Sequence, residues 1–353
     1  MASRRFLMEN SMTRKFALLA GVSALAAIAA VPAVKADAVA DFYKGKNITL
    51  IIPYSAGGMY GINGRIMSRY IGRHIPGKPN VVVQHMTGQG GTKGANYFYN
   101  AAAQDGSVIA ELSKDLAVAQ VLRPGRVKYD ARKIHFLGRM QPYAAVLMVW
   151  HTQGINTVED ARRKQVIVAS SGKSSHDYME ASLLRHFAGM KLKSVTGYRG
   201  AAGMYKAMES GETHARIGAW NSLKAAKPDW LRDKKVSIVL QTGLKKQPDL
   251  PNIPLMLDLM PDGEAKKMAE VMSLGGPVGW GLQAPPGTPA DRVAALRTAF
   301  DRMVVDPDFL AEIKKRNVGG ETATGAEVEG YIKRTFSISP ELVKKMQKIA
   351  GFN

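Results

Sequence analysis

Apolar positions along this chain fall in short continuous runs, separated by stretches in which they recur at helical spacing. Asn47-Ile48-Thr49-Leu50-Ile51-Ile52 is such a run and stops at Pro53, the pattern of a strand buried on both faces. A glycine-containing loop over 54–61 follows, and Ile62, Ile66, Tyr70 and Ile71 then mark a helix that ends before Pro76. The order repeats: Val81-Val82-Val83, a loop over 87–94 and a helix over 95–103, then Val108-Ile109-Ala110 and a helix over 116–122. In the middle third, 146–150, 165–169, 195–198, 216–219 and 236–240 read as strands, with a helix after the loop 170–175. The last third is mainly helical. Thr288-Pro289 and Asp306-Pro307 each place a capping side chain before a first-turn proline, and Thr324-Gly325-Ala326-Glu327 is a capping box. Strands alternating with helices predict an α/β fold with mostly parallel sheets.

Ahead of the first strand, Arg14-Lys15 precede an apolar run over 16–34, interrupted by Gly21 and Pro32. Small residues follow, in the triplets Val34-Lys35-Ala36 and Ala36-Asp37-Ala38. A positive start, an apolar middle and a small-residue exit predict a signal peptide over 1–36, cleaved near Ala36 or Ala38. An uncleaved anchor is the alternative, against which Pro32 and the cleavage triplets argue. Translation from Met12 is a second open point, because residues 1–11 add nothing to the signal.

Composition narrows the classes. With 353 residues and 46% hydrophobic positions, the chain has the length for two domains or one large one and the apolar content of a packed core. It has no cysteine, which excludes disulfides, thiolate metal sites and a cysteine nucleophile. A net charge of +20 raises nucleic acid as a partner. The charges, however, are scattered as doublets such as Arg162-Arg163, Lys234-Lys235 and Lys344-Lys345, without a basic block interleaved with aromatics, so no nucleic-acid partner is expected. A basic surface does concentrate anionic ligands.

Ligands of open α/β sheets bind beyond the carboxyl ends of strands, where loops lead into helices. Three such loops are rich in glycine and hydroxyl residues: Ser55-Ala56-Gly57-Gly58, Gly88-Gln89-Gly90-Gly91-Thr92 and Ser170-Ser171-Gly172-Lys173-Ser174-Ser175. Glycine admits close backbone approach, and free amides at a helix start attract anions. Gly and Ser also serve turn geometry alone, but three loops in matching settings argue for an anion site. Catalytic patterns are absent. Gly172-Lys173-Ser174 resembles the end of a phosphate-binding loop but has Ile167 where the first glycine belongs, and Lys93 breaks the dinucleotide spacing after Gly90. The seven histidines contain no pair three or four apart, so no metal or other cofactor is expected. Ser174-Ser175-His176-Asp177 are adjacent in sequence, which rarely makes a triad in space. Donors without catalytic machinery point to a binder rather than an enzyme.

The ordered motifs carry a family likeness. Pro53-Tyr54-Ser55-Ala56-Gly57-Gly58 followed by Arg65 resembles the first loop and helix of the Bug-type substrate-binding proteins of tripartite tricarboxylate transporters. Val81-Val82-Val83 with Gly88-Gln89-Gly90-Gly91, Asp105-Gly106, Tyr198-Arg199-Gly200, Leu250-Pro251-Asn252-Ile253-Pro254 and Trp280-Gly281-Leu282 match in the same order, from about Lys46 to Asn317. The resemblance implies a two-lobed, type II-like periplasmic-binding-protein fold (a Venus flytrap). Lobe 1 would comprise 39–142 and 275–353, and lobe 2 would comprise 143–274. It implies a periplasmic, monomeric receptor that captures a small mono-, di- or tricarboxylate and passes it to membrane subunits. By that likeness Tyr54, Ser55, Gly57, Gly58, Met59, Tyr60, Gly90, Gly91 and Thr92 bind from one lobe. Ser170, Ser171, Gly172, Lys173, Ser174, Ser175, Tyr198, Arg199 and Gly200 bind from the other.

This chain departs from the family pattern at three places: Gly61 replaces the usual Asp before Arg65, Gln84-His85 replace Glu-Asn, and Lys173 enters the loop after the strand over 165–169. Losing an acid and gaining Lys173 beside Arg199 predicts a more anionic ligand, unless both cations point to solvent. Tyr54, Tyr60, Tyr198 and Trp220 are candidates to wall a pocket for an aromatic acid, or simply to pack. The rival readings are a secreted hydrolase of anionic esters using Ser174 or Ser175, and an interaction protein that senses a ligand.

Overall fold

The computed structural model describes residues 38–173 and 175–352. The expected signal peptide and Ser174 lie outside the described residues. After a helical turn over 38–43, one mixed sheet is built from β1 (Asn47–Ile52), β2 (Asn80–His85), β3 (Val108–Ala110), β4 (His135–Gln141), β10 (Trp280–Ala284) and β11 (Ala323–Thr324), in the order β11-β4-β10-β3-β1-β2. The second contains β5 (Ala145–Trp150), β6 (Val166–Ser170), β7 (Leu192–Thr196), β8 (Ala215–Ala219) and β9 (Val236–Thr242), in the order β7-β6-β8-β5-β9. The helices of the first half are α1 (Met59–His74), α2 (Thr92–Asn100), α3 (Leu116–Leu122), α4 (Val158–Arg163), α5 (His176–Phe187), α6 (Ala201–Glu209), α7 (Trp220–Ala226) and α8 (Pro228–Arg232). Those of the second are α9 (Glu264–Ser273), α10 (Gly275–Val278), α11 (Ala290–Met303), α12 (Pro307–Lys315), α13 (Gly325–Phe336) and α14 (Pro340–Ala350).

The α/β architecture is the one expected, but the sheets are mixed rather than mostly parallel: four pairings are parallel and five antiparallel. The reason lies in the two crossings between lobes. Strands β1, β2 and β3 are parallel, as are β6, β7 and β8. The chain enters each sheet from the other lobe through β5 and β10, which run opposite to these units and pair antiparallel with their neighbours. Strand β4 carries Gly138 and Arg139 within an otherwise apolar segment and gives no clean strand pattern. Arg139 is buried there because its guanidinium donates to the carbonyls of Pro277 at 2.6 Å, Glu321 at 3.2 Å and Thr322 at 3.3 Å.

The apolar runs are the core. Ile48, Leu50 and Ile52 are fully buried in a cluster that reaches Leu147, Val149 and Ile217 of the second sheet and includes Tyr143 and Trp280 at the crossings. Each such side chain stabilises the fold by about 1.5–3 kcal/mol. Two of the three expected helix caps form. Asp306 accepts from the amides of Asp308 and Phe309, and Thr324 and Glu327 complete a capping box. The third is a correction: α11 starts after Pro289, and the Thr288 hydroxyl is buried without a partner among the described residues instead of capping.

Candidate functional site

The loops after β1, β3 and β6 and the floor of β8 open onto one crevice between the lobes, a cavity of about 70 Å³. Across its rim the lobes touch through small residues. A methyl group placed on Gly57 would lie 3.2 Å from that of Ala202, one on Gly58 3.6 Å from that of Ala201, and one on Gly172 3.7 Å from the Gly90 amide nitrogen. The crevice is therefore described in a closed state. Three helices begin at it, since Gly58, Ser175 and Gly200 are the N-cap positions of α1, α5 and α6. Neither α1 nor α6 has a side-chain cap or an acidic residue in its first turn, so their positive ends are not offset locally.

One wall is aromatic. Tyr54 stacks on Tyr60 with ring centres 4.3 Å apart, and Trp280 packs its ring 4.9 Å from Tyr143 and 6.1 Å from Tyr60. The Tyr54 hydroxyl donates to the Gly90 carbonyl at 2.9 Å, and that of Tyr60 accepts from the Lys114 amide at 3.1 Å. Burial raises the pKa of Tyr54, Tyr60 and Tyr143, so these phenols stay protonated.

The charged groups sit deeper. Lys114 and Asp115 form a buried ion pair at 2.6 Å, with the ammonium also 4.1 Å over the Tyr143 ring. Burial lowers the pKa of His176 well below its usual value, assisted by Lys114 and Arg216. The neutral imidazole accepts from the Tyr143 hydroxyl at Nε2 and turns Nδ1 to Asp115, 3.6 Å away. Asp177, raised by burial, accepts from the Ser171 amide. Glu180, behind it on α5, is pushed up to about 8, again by burial.

Arg216 makes no hydrogen bond to this network among the described residues, although its charge acts on His176 and Asp177. It rises from β8 with 6% of its surface exposed, lies 4.7 Å over the Tyr205 ring, and folds flat against Gly218. A side-chain carbon at Gly218 would lie 2.3 Å from Nη2, so the glycine makes room for the guanidinium. Its Nε and Nη1 have no hydrogen-bond partner among the described residues.

Of the candidates named from the sequence, Tyr54, Ser55, Gly58, Met59, Tyr60, Ser171, Ser175 and Gly200 line the crevice. Gly57 and Gly172 lie at its rim, as does Gly90. Gly91 sits behind the wall at φ +94°, close against Tyr54, and Thr92 is buried in the first turn of α2. The Ser170 hydroxyl is buried 3.2 Å from that of Ser175. Lys173 and Arg199 are exposed and do not line the crevice, so the cations that do are Lys114 and Arg216 instead. Tyr198 donates to Glu212 at 2.7 Å and Trp220 to Asp249 at 2.8 Å, both away from the cavity, where Tyr143 and Trp280 take the aromatic positions. Ser175 donates to the Gly172 carbonyl, while the neighbouring imidazole faces Tyr143 and Asp115.

Sequence reasoning missed Lys114, Asp115 and Arg216, and weighed His176 only within the adjacent Ser-His-Asp run. The loop after β3 lacks the glycine that marks the others, though it stands at a strand's carboxyl end like them. For Arg216 the signal was present: a lone charge inside a short strand otherwise made of alanine, isoleucine and glycine.

No helix among the described residues is long and apolar enough to cross a membrane. Comparison with known proteins gives a consistent result. The chain is 26% identical over 296 residues, 81% of each protein, to the "UPF0065 protein in tcbD-tcbE intergenic region" of Pseudomonas sp. (strain P51). Its fold is similar to that of the periplasmic binding protein BugD, with TM-score 0.69 and 20% identity over 88% of this chain and 99% of that one. It is also similar to R. palustris Rpa4515, solved with adipate, with TM-score 0.67 and 20% identity over 87% of this chain and 97% of that one. Residues 73–347 match the family described as the tripartite tricarboxylate transporter family receptor, and to that family the chain belongs.

Proposed function

We propose that the protein is an exported periplasmic receptor that captures a small organic acid between its lobes and delivers it, chemically unchanged, to the membrane subunits of a tripartite transporter. In this reading lobe 1 comprises 39–142 with 275–353 and lobe 2 comprises 143–274. The ligand contacts come from the loop and helix start over 54–60, the loop over 170–175 and Gly200. The observation that carries it is the pairing of a buried guanidinium whose Nε and Nη1 lack partners with helix starts that carry no acidic residue, around one closed crevice. The adipate held by the R. palustris relative is an acid of the class proposed. The hydrolase reading is weaker because no imidazole is hydrogen-bonded to the Ser175 hydroxyl among the described residues.

Calorimetry on the mature chain, with a panel of organic acids beside neutral analogues of each, tests this reading. The expected result is saturable one-to-one binding of at least one acid, with the acid recovered intact by NMR. Heat from none of the acids, or steady product release from an anionic ester, would overturn it.

A further inference from the structure

Resting on that reading, we infer that Arg216 is the group that selects the ligand's charge. It takes one carboxylate of the ligand at its guanidinium, and the crevice accepts an acid with a single ionised group and an apolar body.

A guanidinium is always charged, and one sealed between lobes without hydrogen-bond partners at Nε and Nη1 is costly unless an anion completes it. The surroundings hold it ready rather than satisfy it. Its plane lies flat against Gly218, and the Tyr205 ring packs 4.7 Å from it. The second cation of the crevice, Lys114, is already neutralised by Asp115 at 2.6 Å. Arg216, which Asp177 reaches through space but not by a hydrogen bond, is the lining cation without a salt bridge among the described residues.

The same surroundings oppose a second ligand charge. Asp115 and Asp177 both line the cavity, and a further carboxylate there would face them at short range. The remaining lining, Met59, Met204, Ala219 and Trp280 with the stacked Tyr54 and Tyr60, offers apolar contact. The exposed Lys173 and Arg199 do not add to the charge inside.

The probes are butanoate, its uncharged partner butanamide, the diacid succinate and the triacid citrate, titrated by calorimetry into the mature chain and into Arg216→Met. The wild type should bind butanoate at least tenfold more tightly than butanamide, and more tightly than succinate or citrate. Arg216→Met should lose at least tenfold for butanoate and bring the acid-to-amide ratio near one, a change that altered packing alone does not produce. Gly218→Ala, which leaves the charge in place but displaces the guanidinium, should lower the same ratio while the protein unfolds cooperatively. An unchanged ratio in a folded Arg216→Met protein overturns the inference, as does tighter binding of succinate or citrate by the wild type. Should the wild type bind none of these acids while binding another class of solute, the broader reading as an acid receptor fails instead.

Discussion

Glu180 illustrates how a single buried group sets a pH response. Burial, only partly offset by Lys114 and a hydrogen bond to Thr242, holds its carboxyl at about 8 against an ordinary value of 4.5. Between those values Glu180 keeps a proton in the folded chain that it releases in the unfolded one, so its contribution to stability falls as pH rises through this window and levels above about 8. Glu180→Gln should flatten that slope and gain stability of order 1–3 kcal/mol by pH 8 relative to the parent. Urea denaturation from pH 5 to 9 reads it directly, and parallel curves for the two proteins would contradict the assignment. The same scale shows how far the sequence could be read. Ser55 and Gly58 were legible because three glycine- and hydroxyl-rich loops recur in matching strand-to-helix settings, and Gly200 was legible through the family likeness. Charge was not: Arg199 follows the motif pattern and Lys173 departs from it, yet both are exposed, while Lys114 and Arg216 enter the crevice because the tertiary fold turns their elements inward.

Elements were easier to read than their pairing. The runs behind β1, β3, β5, β6, β8 and β9 announce themselves because both faces of these strands lie against other layers. Strand β7 lies a few residues earlier than the pattern over 195–198 suggests, ending before Gly197 at φ +117°. The direction of β5 and β10 cannot be found in any local window, since it follows from where the chain crosses between lobes. Caps, by contrast, are local and testable. Thr324 bonds the Glu327 amide while Glu327 bonds back to the Thr324 amide and hydroxyl, fixing the start of α13 against β4. Thr324→Ala should cost about 1 kcal/mol in a denaturation experiment. A loss indistinguishable from zero would mean that packing alone orients the helix.

Across the whole molecule, a methionine-rich cluster ties helices that follow strands of different sheets. Val118 and Leu122 of α3, Met179 and Leu183 of α5, Met268 and Met272 of α9, and Leu342 and Met346 of α14 are buried together. The last helix of the chain therefore packs on α3, α5 and α9 at once. Met346→Ala should remove about 2–4 kcal/mol of stability, measured by chemical denaturation. A midpoint unchanged from the parent would show that the cluster contributes little. Methionine suits such a seam because its unbranched side chain adapts when neighbouring surfaces shift.

The rim of the crevice has a practical consequence. Opposing halves meet there through small residues such as Gly57, Gly58, Ala201 and Ala202, and the chain contains no thiol of its own. A lone cysteine introduced at Gly172, beside the amide of Gly90, would accept an environment-sensitive dye at a single defined place. Its emission would report the gap between the halves as solute arrives and departs, turning this receptor into an optical gauge for the metabolite it serves.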